Sequence, residues 1–116
     1  MGTDGAFHYE TENSKDDLGN KVTTIKCHGR LISETASQIT DLVKPLIPQG
    51  GRIVLDLTDL NYLDSSGLGT LVGLQVSAIK AGYCRIEFVN MAPNILKLMR
   101  MTNLANLFTS SAQAGN

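Results

Sequence analysis

The chain predicts an α/β fold, a mixed β-sheet with an N-terminal β-hairpin and parallel crossover strands, covered by α-helices. Three observations carry this. Two short extended segments, FHYETE and KVTTIKCH, flank a polar connector that contains glycine. After them, apolar residues at helical spacing alternate with compact apolar runs, giving the order β-β-α-β-α-β-α. A strand, helix, strand, helix, strand series returns each strand to the same sheet by right-handed crossovers.

Phe7 to Glu12 alternates weakly and reads as the first strand, and Asn13 to Asn20 as the turn after it. Lys21 to His28 is rich in β-branched residues, with Thr23, Ile25 and Cys27 on one face, so it forms the second strand of the hairpin. Ser33 stands where an N-cap belongs, with Glu34 in the first turn of the helix it would open. Ala36, Ile39, Leu42, Val43, Leu46 and Ile47 then form one apolar stripe. Pro45 removes an internal hydrogen bond, so this helix should kink or loosen around Lys44.

Ile53 to Leu57 (IVLDL) is a short apolar run between Gly51 and the polar Thr58-Asp59. It suits a central parallel strand buried on both faces. Leu68, Leu71, Val72, Val76 and Ile79 mark the next helix, with Gly82 placed to cap its carboxyl end. Arg85 to Val89 alternates into a last strand. Pro93 is placed to open a final helix carrying Ile95, Leu96 and Met99, with Asn103 as its stop. Residues 1–6 and 109–116 read as loose ends around a single domain spanning 7–108. The 116 residues suit one domain, and a hydrophobic content of 42% supplies a core without metal or disulfide.

The net charge of −1, from 10 basic and 11 acidic residues, gives no electrostatic footprint for nucleic acid. Between Arg52 and Lys80 there is no Lys or Arg, whereas Asp56, Asp59 and Asp64 all fall in that interval. The middle of the chain is therefore locally acidic. Cys27 and Cys84 sit in apolar-leaning runs and read as buried thiols of a reducing cytosol. The amino terminus has neither the basic nor the apolar region of a signal peptide, and no apolar run is long enough to span a membrane. The expected location is cytoplasmic.

The informative stretch is Tyr62-Leu63-Asp64-Ser65-Ser66-Gly67-Leu68-Gly69, between the end of the third strand and the start of a helix. Open α/β sheets place their sites at the carboxyl ends of strands. A serine opening a helix exposes its hydroxyl beside unpaired backbone N–H groups, which could receive a phosphate. Gly67 and Gly69 keep the first turn free of side chains, so another protein's backbone could approach. Asp64 or Ser65 is equally a plain helix cap, although two glycines in one turn cost about 1 kcal/mol each in a helix interior.

Asp64-Ser65-Ser66-Gly67-Leu68-Gly69 resembles the phosphorylation motif of the STAS family, whose bacterial members antagonise anti-sigma factors. Ile53 to Leu57 and Asp59 to Leu63 resemble the strand and lead-in before that motif. Gly29, Leu31, Thr35 and Ala36 match the loop before the first helix; Pro93, Leu98, Met101 and Leu104 match the last helix and its exit. The likeness covers about residues 20–108. It implies a STAS fold and a phosphoacceptor at Ser65. The implied partners are an anti-sigma factor with a histidine-kinase-like serine kinase fold, and a PP2C-type phosphatase that reverses the modification. The partner-binding surface implied comprises Asp64, Ser66, Gly67, Leu68 and Gly69 together with Arg30, Ile32 and Glu34. Ile32 departs from the family members whose regulation is understood, which usually have an acidic residue there, and Arg30 stands where they often have another. The chain also stops soon after Phe108, without the family's C-terminal helix, which predicts a monomer or weak homodimer.

Other chemistries fit less well. A serine hydrolase needs a base in reach of its nucleophile, and His8 and His28 both fall on predicted strands, outside any recognisable triad order. The G-x-S-x-G elbow and the G-x-x-x-x-G-K-[ST] loop are both missing. His8, Cys27, His28 and Cys84 show no metal-ligand spacing along the chain, so no metal or cofactor is expected. Lys97 and Arg100 share an exposed helix face and read as solvated charge. The same fold also serves in lipid-transport complexes and in stress-signalling assemblies, which leaves a role as a non-catalytic interaction module as the alternative.

Overall fold

A computed structural model describes residues 7–101. It contains β1 (His8–Lys15), β2 (Lys21–Leu31), α1 (Ala36–Val43), a 3₁₀ helix (Lys44–Gln49), β3 (Gly51–Leu63), α2 (Ser65–Ala81), β4 (Cys84–Val89) and α3 (Pro93–Met101). The expected order is present in full. Asn103, Leu104, Phe108 and the two terminal segments lie outside the described residues.

The strands form one sheet in the order β1-β2-β3-β4, with β1 antiparallel to β2 and the other two pairings parallel. Thr23, Ile25 and Cys27 of β2, Ile53, Leu55 and Leu57 of β3, and Cys84, Ile86 and Phe88 of β4 are all buried. All but Thr23 meet Ile39, Val43, Ile47, Leu68, Leu71, Leu74 and Ile95 in one core. The helices therefore cover a single face. The opposite face carries Glu10, Lys26, Arg52, Asp56 and Glu87, and Arg52 there forms a bidentate pair with Glu87 at 2.8 and 3.1 Å.

Several boundaries differ from expectation, for physical reasons. β1 runs on to Lys15, and the turn shrinks to Asp16–Asn20, because the Asp16 carboxylate accepts from the backbone N–H groups of Leu18 and Asn20. β3 is 13 residues long and is not buried on both faces; Val54 and Asp56 are half-buried on the polar side. Polar Thr58 and Asp59 do not end it. They sit at the first of two register shifts, between Lys26 and His28, and the second lies between Gly29 and Arg30. Each inserts one extra residue in β3, breaking the simple alternation while leaving Leu60 and Leu63 buried.

Ser33 does not cap α1. The helix starts at Ala36 behind Thr35, whose hydroxyl instead accepts from the Ile32 N–H at 3.0 Å and donates to the Arg30 carbonyl at 2.8 Å. Pro45 acts as expected, since the α-helix gives way to 3₁₀ geometry at Lys44. Gly82 ends α2 in the left-handed conformation, φ 84°, with its N–H on the Ala78 carbonyl. Among the described residues no helix is long and apolar enough to cross a membrane.

Candidate functional site

The loops that follow β2 and β3 lie side by side at the carboxyl ends of two adjacent parallel strands, where Leu31 is the register partner of Leu63. Asp64 holds them together. Its Oδ1 accepts from the Gly67 N–H at 2.8 Å and so caps α2, while its Oδ2 accepts from the Ser33 N–H at 3.2 Å across the gap. The Asp64 N–H donates to the Leu31 carbonyl at 3.3 Å, a third tie between the segments. On the β2 side, Thr35 and Ala36 both donate backbone N–H groups to the Ile32 carbonyl, which folds residues 30–36 into a tight turn.

This framework presents Ser65 as the first residue of α2, exposed, with Ser66 exposed beside it. Arg30, Ser33 and Glu34 are exposed on the neighbouring loop, and Ile32 is half-buried. The first turn of a helix leaves N–H groups without intrahelical partners, and Asp64 takes up one of these at Gly67. A shallow groove of about 270 Å³ lies between α1 and α2, lined by Thr40, Lys44, Thr70, Gly73, Leu74 and Ser77.

The two glycines have separate roles. A Cβ on Gly67 would lie 2.1 Å from the Leu31 carbonyl oxygen and 2.9 Å from a Leu63 methyl. Gly67 is thus a buried packing position that lets α2 sit against the end of β2, and Leu68 beside it belongs to the core. Gly69 is exposed, with nothing within 4 Å of its would-be Cβ. The exposed surface at this end of the sheet therefore comprises Ser65, Ser66 and Gly69 with Arg30 and Glu34 of the neighbouring loop and half-buried Ile32 between them; Gly67 and Leu68 shape it from beneath.

Sequence spacing missed three things here. Thr35 clamps the β2–α1 loop through its side chain, a role hidden behind a more obvious serine two residues earlier. Tyr62 is 50% exposed at the rim, whereas its neighbours Leu60 and Leu63 turn inward. Pairing across the sheet also brings Arg30 opposite Tyr62, so a cation reaches the end of the sheet even though the chain from Ile53 to Ile79 has none.

His8 and His28 pair on the open face of the sheet, away from the helical layer that α2 belongs to, so the fold does not assemble a serine–histidine pair from them. Cys27 and Cys84 are both free and buried. Burial pushes the Cys27 thiol up to about 12, with nearby Asp56 adding to the shift, and burial raises Cys84 as well. Asp56, on the polar face, is held below the usual carboxylate range: hydrogen bonds from Thr58 and Asn90 and the charge of Lys26 outweigh the opposing effect of burial.

Comparison with known proteins agrees with this architecture. The family described as "Mlab, STAS domain" matches residues 15–109. The anti-sigma-B factor antagonist of Bacillus subtilis is 28% identical over 86 residues, covering 74% of this chain and 78% of that one. A STAS-domain containing protein of Pseudomonas aeruginosa is 31% identical over 88 residues, covering 76% and 86%. The solved structure of the anti-sigma factor antagonist SpoIIAA in its unphosphorylated form superposes with a TM-score of 0.65 at 22% identity, covering 88% of this chain and 84% of that one. The sheet order, the capped α2 and these matches converge, and the chain belongs to the STAS family.

Proposed function

We propose that this protein is an anti-sigma-factor antagonist, a non-catalytic interaction module switched by phosphorylation of Ser65. Unphosphorylated, it binds an anti-sigma factor with serine kinase activity and so frees a sigma factor. Phosphorylated, it is inactive until a PP2C-type phosphatase restores it. The observation that carries this reading is the exposed Ser65 at the first position of α2, directly after a capping aspartate that fastens the site to the neighbouring loop.

Phosphate on Ser65 adds about −1.5 to −2 charges at pH 7. The helix start absorbs part of that charge, at about 0.3–1 kcal/mol for an exposed site. This is too little to rearrange a domain whose loops are already tied to each other. At a desolvated interface the same bulk and charge cost several kcal/mol. The phosphorylated protein therefore keeps its fold and loses its partner.

Mass spectrometry after incubation with ATP and a kinase-fold anti-sigma factor tests the assignment. Ser65→Ala should abolish incorporation and Ser66→Ala should leave at least part of it; full incorporation into Ser65→Ala overturns the reading. A second reading is a STAS subunit of a lipid-transport or stress-signalling complex acting as an interaction module; Ile32 and Arg30, departing from the resemblance, point to an unusual partner. Co-purification with transporter or signalling-complex subunits, in place of a kinase-fold protein, would select it.

A further inference from the structure

The open face of the sheet carries a cluster that the switch does not use. The hairpin register sets His8 directly opposite His28, and Glu10, two residues along β1, projects to the same side. One donor atom from each of His8, Glu10 and His28 falls within 4.8 Å of the others. Along the chain these residues show no ligand spacing, because the set forms across strands.

The geometry of His28 is specific. Its Nδ1 lies 3.1 Å from Asp59 Oδ2, and its Nε2 lies 3.2 Å from Glu10 Oε2. A neutral imidazole carries one proton. With that proton given to Asp59, Nε2 presents a lone pair to the Glu10 carboxylate. This Nε2 is enclosed and makes no hydrogen bond. An imidazolium would donate from both nitrogens; with the neutral ring, a metal cation between the two donors takes the place of that second proton. Zinc bonds of about 2.0–2.1 Å at tetrahedral angles separate neighbouring ligand atoms by about 3.3 Å, close to the distance found. The His8 ring stacks on His28 with centroids 4.6 Å apart, and His8 is exposed, so it can turn its nitrogen inward as a third ligand.

We propose that His8, Glu10 and His28 form a binding site for a borderline divalent transition metal, with Zn²⁺ the model ion. Two imidazoles and one carboxylate suit such an ion, whereas Mg²⁺ and Ca²⁺ take all-oxygen sites. Three protein ligands leave one position for water. Asp59 is a positioning residue: as the acceptor for Nδ1–H it fixes the His28 tautomer that leaves Nε2 free for metal. Lys26, the register partner of Glu10, is the nearby cation with which the metal competes for that carboxylate. Because β1 is the exposed edge strand and pairs with β2 alone, a bound ion would add a side-chain tie to the hairpin's backbone ladder.

Calorimetric titration of the tag-free protein with Zn²⁺, with Mg²⁺ as control, tests the site, and the visible spectrum of the Co²⁺ form reports its coordination. One Zn²⁺ per chain with micromolar affinity is expected, with no response to Mg²⁺, and saturating Zn²⁺ should raise the melting temperature. His8→Ala and Glu10→Gln, both at exposed positions and checked for fold by circular dichroism, should weaken binding by about tenfold or more. Asp59→Asn should weaken it by about 10–100-fold without removing a ligand. The absence of Zn²⁺ binding, or binding unchanged in both His8→Ala and Glu10→Gln, would overturn the proposal.

Discussion

Replacing each of the two glycines that share the first turns of α2 should move stability in opposite directions. In Gly67→Ala the new methyl falls more than about 1 Å inside ordinary contact with the Leu31 carbonyl, a backbone atom that cannot swing aside. Overpacking of this kind costs about 1–3 kcal/mol, and more where backbone must shift. Alanine's helix propensity returns about 1 kcal/mol. Because the clash is with backbone, its cost falls at the upper end, about 3 kcal/mol, and the net loss expected is about 2 kcal/mol, or about 8 °C in melting temperature for a domain of this size. In Gly69→Ala the methyl enters open space, so the change should stabilise by about 0.4–1 kcal/mol. Thermal melts followed by circular dichroism measure both. If the partner's backbone packs over α2 here, Gly69→Ala should also weaken partner binding despite the gain in stability. A Gly67→Ala melt within a degree of the parent, or a destabilised Gly69→Ala, would refute the division of roles between these positions.

Other expectations follow from the same geometry. Asp64→Ala removes acceptors for both Gly67 and Ser33 and should cost about 2 kcal/mol in urea denaturation, with Asp64→Asn recovering much of it, since an amide oxygen still caps. Ile32→Asp places a carboxylate at a half-buried position. It should lower stability by about 1–3 kcal/mol while the protein stays folded, and change affinity for a kinase-fold anti-sigma factor; unfolding at room temperature would retire Ile32 as a determinant of partner choice. Cys27 should resist a disulfide-exchange reagent at pH 8 in the native state and react only on unfolding, because the thiolate is the nucleophile. Its folded pKa is raised, so its contribution to stability is intact below about pH 9 and declines as pH climbs towards 12, visible as falling urea midpoints in that window.

Local chemistry was legible in the sequence wherever it decides structure by itself. Asp64 before a helix, Gly82 after one and Pro45 within one all act as their own chemistry dictates: a carboxylate acceptor, a missing Cβ and a missing N–H. The core face of β2 follows from alternation alone. What the sequence hid depends on residues far apart along the chain. Thr58 and Asp59 look like a strand terminus until the two bulges set against β2 allow β3 to continue through them. Ser33 looks like a cap until its N–H is drawn to Asp64, 31 residues away. Gly67 and Gly69 are the same residue type in the same turn, and only the position of Leu31 separates a packing contact from an open surface. The cluster of His8, Glu10 and His28 likewise depends on hairpin register, which spacing does not encode.

The three ties from Asp64 to Leu31, Ser33 and Gly67 bear on how such a site could be transplanted. Grafting the six residues Asp64 to Gly69 onto another helix would carry Ser65 at the helix start but leave the aspartate with only its cap. The second loop, with its carbonyl seat for Gly67, would be missing. A working transfer needs residues 30–36 as well, held at the ends of two adjacent parallel strands. Variation within the surface is constrained in the same way. Exposed Glu34, Ser66 and Gly69 can be exchanged without disturbing these ties, whereas Leu31, Asp64 and Gly67 are coupled by them.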